Sequence, residues 1–210
     1  EELNYYAQRA KDLLSRASSL MDIYRASDAK RYLTFRMTDG AAPGNRINTL
    51  SSLPLYTVSQ ELLERILDRQ HLSSGRKQKI LLHVATQHKS VDSILRQNRI
   101  TDYVPALTQE EFETYPMALP LSDLFFENVL LYTYEEYKQH LEETMQFSQK
   151  HQNYTVFASH ALPFRNIQIQ VLENTHVVIS KNRAPSIHFV IRHPQMVNAL
   201  QNFIAPVSAE

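Results

Sequence analysis

Apolar residues recur along this chain at two different periods, and the change between them organises it. From residue 3 to 26 the positions Leu3, Tyr6, Ala10, Leu13, Ala17, Leu20 and Tyr24 follow intervals of three and four, a heptad seam that predicts one long N-terminal helix. Leu14, Met21 and Ile23 widen its apolar face, so the stripe suits a helix lying on its own domain as well as a dimer contact or a connector. "RYLTFRM" (31–37) predicts a strand, and "TDGAAPGNRINTLSSLP" (38–54), rich in glycine and proline, a loop or lid. Thr57 and Gln60 stand at capping-box spacing before Leu62, Leu63, Ile66 and Leu67, which share one helical face.

"KILLHVA" (79–85) is a nearly unbroken apolar run, the pattern of a strand buried on both faces, and "SVDSILRQ" after it predicts a helix. "FENVLLYTY" (126–134) repeats the strand signal. Thr133 and Glu136 then form a capping box opening "EEYKQHLEETMQFSQK", and "YTVFAS" supplies a third strand. Strand, helix, strand, helix, strand predicts an α/β fold with a mainly parallel mixed sheet flanked by helices. Residues 99–123, with three prolines and a short capped helix at Thr108–Glu111, read as an excursion over the sheet edge. From residue 166 the period becomes two: "NIQIQVL", "HVVISK" and "SIHFVIRH" predict an antiparallel meander, followed by a helix that Pro194 opens with Val197, Leu200 and Phe203 inward. The expected division is an N-terminal connector and dimerisation helix over 1–30 and a single α/β domain over 31–210.

In the last hairpin, Ile187, Phe189 and Ile191 oppose His188, Val190 and Arg192, while Val177, Ile179 and Lys181 oppose His176, Val178 and Ser180. One apolar and one mixed face is what an outer strand pair of a one-sided sheet requires without any chemistry.

Composition narrows the functional classes. Lys+Arg and Asp+Glu are both 22, so no overall field steers the chain onto nucleic acid or an anionic membrane. The basic clusters "RKQK" (76–79), Arg96 with Arg99, and Lys181 with Arg183 lack interleaved aromatics, and no recognition-helix turn is visible, so direct reading of DNA bases is not expected. The absence of cysteine excludes disulfides and thiolate chemistry and agrees with a cytoplasmic location. No apolar run approaches the length of a membrane span. The chain begins Glu1-Glu2-Leu3 without methionine, which suggests that further sequence precedes it.

The 3 glycines are too dispersed for a dinucleotide-binding turn, a P-loop or a nucleophile elbow. A phospholipase D-type HxK pair is missing: His176 and Lys181 are five apart, and His88 and Lys89 are adjacent. The histidine pairs 83/88 and 188/193 have no metal-ligand spacing, and no catalytic residue, metal or cofactor is assigned.

The order of "ILLHVATQHKSVDSIL", "YEEYKQHLEETMQFSQKHQNYTVF" and "FRNIQIQVLENTHVVISKNRAPSIHFVIRHPQMVNALQNF" resembles, from about residue 60 to 204, the C-terminal effector region of helix-turn-helix regulators of the phage-repressor type from Gram-positive bacteria. The resemblance implies a phospholipase D-like fold without its catalytic residues, and a DNA-binding domain outside this chain. It transfers no site residue.

Two functions remain open: a non-catalytic ligand-sensing and dimerisation domain of a bacterial transcription regulator, or a small enzyme acting on a phosphorylated or anionic metabolite. In either case the crevice beyond the carboxyl ends of parallel strands is the expected ligand site, gathering Thr86, His88, Thr133, Tyr134, Ser159 and His160. Lys181 and Arg183, on a turn stiffened by Pro185, are expected to hold a small anion or a partner. A homodimer is expected, with DNA reached only through the missing domain and no membrane contact.

Overall fold

A computed structural model describes residues 5–11, 21–25, 42–50, 53–114, 116–119, 130–160, 167–181 and 187–204. Nine strands occur among them: β1 Met21–Arg25, β2 Arg46–Leu50, β3 Arg99–Pro105, β4 Ala118–Leu119, β5 Leu130–Leu131, β6 Tyr154–Ser159, β7 Ile167–Leu172, β8 His176–Lys181 and β9 Ile187–Ile191. The helices are α1 Gln60–Arg69, α2 Ser74–Leu95, α3 Gln109–Thr114, α4 Tyr134–Lys150 and α5 Pro194–Ile204, with a 3-10 turn at Leu55–Thr57.

Seven strands form one sheet in the order β1-β9-β8-β7-β2-β3-β6, and β4 pairs with β5 separately. The fold is α/β, a mixed sheet flanked by helices. Only β2–β3 and β3–β6 are parallel; the other four pairings are antiparallel, so the parallel part is a minority. The expected meander is present as β7–β8–β9. Its hairpin is interior, because β1 pairs with β9 and leaves β8 enclosed.

The parallel trio is built from other segments than expected. "KILLHVA" belongs to α2, a helix of 22 residues that also absorbs "SVDSIL". Ile80, Val84, Val91 and Leu95 line its buried face at helical spacing, while Leu82, in the middle of the apolar run, is 70% exposed. Two strands were hidden: β2 lies in the stretch expected to be a loop, and β3 in the expected excursion. Of "FENVLLYTY", Leu130–Leu131 is a strand, in the small sheet. The long N-terminal helix is interrupted, since residues 5–11 are helical but Met21–Arg25 is a strand hydrogen-bonded to β9. "RYLTFRM" lies outside the described residues.

Helix starts follow local chemistry. The Thr133–Glu136 capping box is formed, and Thr108 and Glu111 cap α3 in the same reciprocal way. The N-cap of α1 is Ser59 rather than Thr57: Ser59 Oγ accepts from the Leu62 amide, while the Thr57 hydroxyl is consumed by the Pro54 carbonyl. On α5, Val197 and Ile204 are buried, Leu200 is partly buried, and Phe203 is 47% exposed rather than inward.

The two sheet faces have separate cores. Ile47, Ile100, Val104 and Tyr154 face α1, α2 and α4, where Leu62, Leu63, Ile66, Ile80 and Tyr137 complete the packing. Leu50, Tyr103, Ile169, Val171, Val177 and Ile191 face the opposite way, beneath Val197 and Ile204 of α5. The alternation of single strands between the two sets is the period-two geometry of a sheet covered on both sides.

Candidate functional site

The expected rim is assembled only in part. Beyond the carboxyl ends of β3 and β6, Tyr134 stacks obliquely on Phe112 of α3 (ring centroids 5.6 Å apart), and its hydroxyl lies 3.5 Å from the Leu107 carbonyl. His160 Nδ1 is 3.8 Å from Glu111 of the same helix, and the Ser159 carbonyl accepts from the Ala106 amide at 2.9 Å. These groups share one edge, but α3 and Tyr137 plug it: the Tyr137 hydroxyl donates to the Pro105 carbonyl and accepts from the Leu107 amide. Thr133 is the α4 cap. It borders an open cleft of about 560 Å³ with Arg65, Glu135, Lys138 and Glu142, whose charges are mixed.

Thr86 and His88 lie elsewhere, midway along α2. Thr86 donates to the Leu82 carbonyl and His88 Nε2 bonds the Val58 carbonyl at 3.1 Å. The carboxyl-edge rule could not gather them, because the segment before them is a helix and not a strand. Lys181 ends β8 at the same sheet edge as Ser159, but four strands away, roughly 19 Å at about 4.8 Å per strand. Arg183 lies outside the described residues.

The strongest polar concentration is inside, on both sides of the 3-10 turn. Tyr56 on that turn reaches the sheet and Thr57 reaches α4. On the sheet side, Asp102 in the middle of β3 is 1% exposed, and its Oδ2 accepts hydrogen bonds from the hydroxyls of Tyr56 and Tyr154, the latter at 2.7 Å. Its Oδ1 has no donor in good hydrogen-bond geometry, the Thr49 hydroxyl on the neighbouring strand being the next side chain to approach the carboxyl. Burial pushes the carboxyl up to about 6 against the opposing pull of Tyr56, Tyr154 and the nearby Thr49. The same burial, with the Asp102 charge beside them, raises both tyrosine hydroxyls well above their ordinary value, so they remain protonated donors.

Register extends this centre along the helix-covered face. Thr49 is level with Asp102 and Gln170 with Thr49, and Gln170 Nε2 donates to Thr49 Oγ1 at 3.3 Å. Val178 and Val190 continue that row, and Gln168 and Ser180 form the next one. Gln168 and Gln170 are half-buried, whereas Val178, Val190 and Ser180 are buried. The result is a polar stripe with an apolar floor, carrying one unmatched acceptor.

On the helix side, His140 is fully buried and every ring nitrogen is used. Its Nε2 lies 3.1 Å from both the Pro54 carbonyl and Thr57 Oγ1, and the Tyr132 hydroxyl bonds Nδ1. Because a carbonyl can only accept, Nε2 carries the proton and Nδ1 accepts from Tyr132. Burial lowers the imidazole to about 3, with nearby His88 adding to the effect against the pull of the Pro54 carbonyl, so the ring is neutral. Thr144 completes the network, 2.7 Å from Thr57. Glu143 joins α4 to the start of α1 through the Ser59 amide and hydroxyl at 2.8 and 2.7 Å. Glu136 is held by two Arg69 bonds at 3.0 and 2.7 Å; burial raises its carboxyl, but Arg69 and the cap bonds outweigh that and lower it overall.

Sequence reasoning missed Asp102, Tyr56 and Tyr154. The available signal was an acid at the centre of "ITDYV", between positions that alternate as a strand does.

Comparison with known proteins gives no assignment: no family model and no curated protein matches the chain. Among solved structures it is similar in outline to TrmBL2, an archaeal chromatin protein that binds DNA, with a TM-score of 0.39 and 8% identity over 97% of this chain. The chain corresponds to 61% of that protein's length. Among the described residues no helix is long and apolar enough to cross a membrane.

Proposed function

We propose that this chain is a non-catalytic ligand-sensing and dimerisation domain of a cytoplasmic transcription regulator, whose DNA-reading part lies outside the sequence considered. The observation that carries the reading is the unmatched Oδ1 of Asp102 on a stripe of amides and hydroxyls. A buried acceptor without a partner costs about 1–3 kcal/mol, a deficit that a ligand O–H or N–H would remove on binding. Gln168 and Gln170, the half-buried members of the stripe, would meet the ligand's remaining polar groups. An anion would meet Asp102 without a facing cation among the described residues of the stripe, so the site disfavours anions and favours a hydrogen-bond donor, for which uncharged polyols and amides are the first probes.

The enzyme reading draws on one observation, the carboxyl raised to about 6, which is a common mark of active sites. A reaction would need a second group free to exchange a proton. The buried imidazole of His140, on the other side of the 3-10 turn, is saturated with internal partners, which favours binding over catalysis.

The test is thermal-shift and calorimetric binding with uncharged polyols and amides set beside their phosphorylated counterparts. The reading expects an uncharged probe to raise the melting temperature and Gln170→Ala to remove that rise. Turnover of a phosphorylated probe would decide for the enzyme. Dimerisation is supported by Tyr5 and Tyr6, both more than half exposed on the helical residues 5–11. Sedimentation over a concentration series should give a dimer that Tyr5→Ser with Tyr6→Ser weakens; a monomer at all concentrations removes this part.

A further inference from the structure

The continuity of α2 creates a surface that a strand–helix reading of the same residues would have broken apart. The helix carries Arg76, Lys77, Lys79 and Lys89 against one acid, Asp92, and its C-terminal exit adds Arg96 and Arg99. Lys77 pairs with Asp68 at 2.6 Å, and Asp92 lies 3.7 Å from His151, which turns that acid toward α4. Arg76, Lys79, Lys89, Arg96 and Arg99 are all exposed. Among the described residues no carboxylate reaches within ion-pair distance of Lys79, Lys89, Arg96 or Arg99. The chain as a whole is neutral, and the compensating acids gather on other elements, such as Glu135, Glu136, Glu142 and Glu143 of α4.

At about 1.5 Å of rise per residue, Arg76 and Arg96 stand roughly 30 Å apart on one rigid axis, with Lys79 and Lys89 about 15 Å apart between them. Between the lysines the exposed positions are Ala85 and Thr86, both short, and Leu82, the large apolar side chain. A small anion cannot touch both ends of such a rod. A membrane would need an apolar face to bury, and α2 turns that face into the core. The acidic row of a second copy is a poorer complement, because Lys138 stands between Glu135 and Glu142 on the exposed side of α4 and Met145 ends the row.

We propose that the exposed face of α2, through Lys79, Lys89 and the C-cap Arg96, binds the phosphate backbone of duplex nucleic acid without reading its sequence. The array spans about 26 Å from Lys79 to Arg96, roughly three quarters of one helical turn of duplex at about 34–36 Å, and a linear, evenly charged polyanion is what such an array matches. This extends beyond ligand sensing: the domain itself contributes affinity for DNA, adding to whatever a separate reading head supplies.

The experiment is fluorescence anisotropy of a labelled duplex about two turns long with the full 210-residue chain, over a salt series. The expected result is binding that weakens with salt at a log–log slope near about −3, for about three neutralised phosphates. Lys79→Glu with Lys89→Glu should weaken binding at least about tenfold and reduce the slope by about 2. Arg65→Glu with Lys138→Glu makes the same charge change on the α1–α4 side and should leave affinity within about twofold, because charges beyond a Debye length of about 10 Å are screened. Equal losses from both pairs, or no duplex binding at low salt, overturn the proposal. So does self-association at low salt that the Lys79 and Lys89 changes abolish and duplex fails to displace, which would make the face a contact between copies.

Discussion

Asp102 and His140 are a buried carboxyl and a buried imidazole on either side of the 3-10 turn, and burial acts on them in opposite senses. His140 has as many partners as its ring can take, so it stays neutral and fixes the positions of Pro54, Thr57 and Tyr132. Asp102 has two donors on one oxygen and, beside the Thr49 hydroxyl, none in good geometry on the other. A saturated group has no hydrogen-bonding capacity left for a ligand, and an unsaturated one keeps it. That difference separates a structural centre from a binding centre more sharply than exposure does, because both residues are nearly inaccessible.

The largest expected effect comes from emptying the saturated centre. His140→Ala leaves the Pro54 carbonyl, Thr57 and Tyr132 without their shared partner and opens a cavity, and should destabilise the chain by about 3 kcal/mol or more in urea unfolding. A loss under about 1 kcal/mol would show that the network is not holding α4 to the turn.

Asp102→Asn should do the reverse. The folded carboxyl titrates near 6 against 3.8 unfolded, so at pH 7 its ionisation costs roughly 3 kcal/mol, which the neutral amide avoids. The variant should be more stable than the parent at pH 7 by about 1–3 kcal/mol, approach it near pH 4, and bind the ligand more weakly. Lower stability at both pH values would mean that the ionised form is the one the fold prefers.

The pH dependence sharpens the contrast with a smaller signal. Between about 3.8 and 6 the folded chain retains a proton on Asp102 that the unfolded chain has lost, so this group lowers stability as pH rises through that window. Between about 3 and 6.5 the unfolded chain protonates His140 and the folded chain does not, so this group raises stability with pH. The two contributions oppose each other near pH 5 in the parent. Asp102→Asn should expose the histidine slope, about 1.4 kcal/mol per pH unit in the rising direction, and His140→Asn the aspartate slope in the falling direction. Denaturant midpoints at pH 4, 5 and 6 measure both, and an unchanged slope in either variant removes that group from the balance.

Local chemistry was legible in the sequence where it depends on neighbours a few residues apart. The caps at Thr108 and Thr133, the meander and the opening of α5 at Pro194 all follow from short-range spacing. The central strands were not. Asp102 interrupts the apolar pattern of β3, so the residue that makes the site also disguises the strand that carries it. "KILLHVA" is apolar enough for a buried strand, and only the burial of Ile80 and Val84 with exposure of Leu82 reveals the helical period. Misplacing those strands moved the expected crevice, and with it Thr86 and His88.

The most direct test of this distinction is a titration of the Asp102 carboxyl and the His140 ring by nuclear magnetic resonance on the selectively labelled, folded chain, with Asp102→Asn and His140→Asn supplying the assignments. An aspartate midpoint near 6 is expected, with an imidazole that stays neutral, its proton on Nε2, down to about pH 4. An aspartate midpoint at or below its unfolded value of 3.8, or an imidazole that protonates near 6.5, would contradict it.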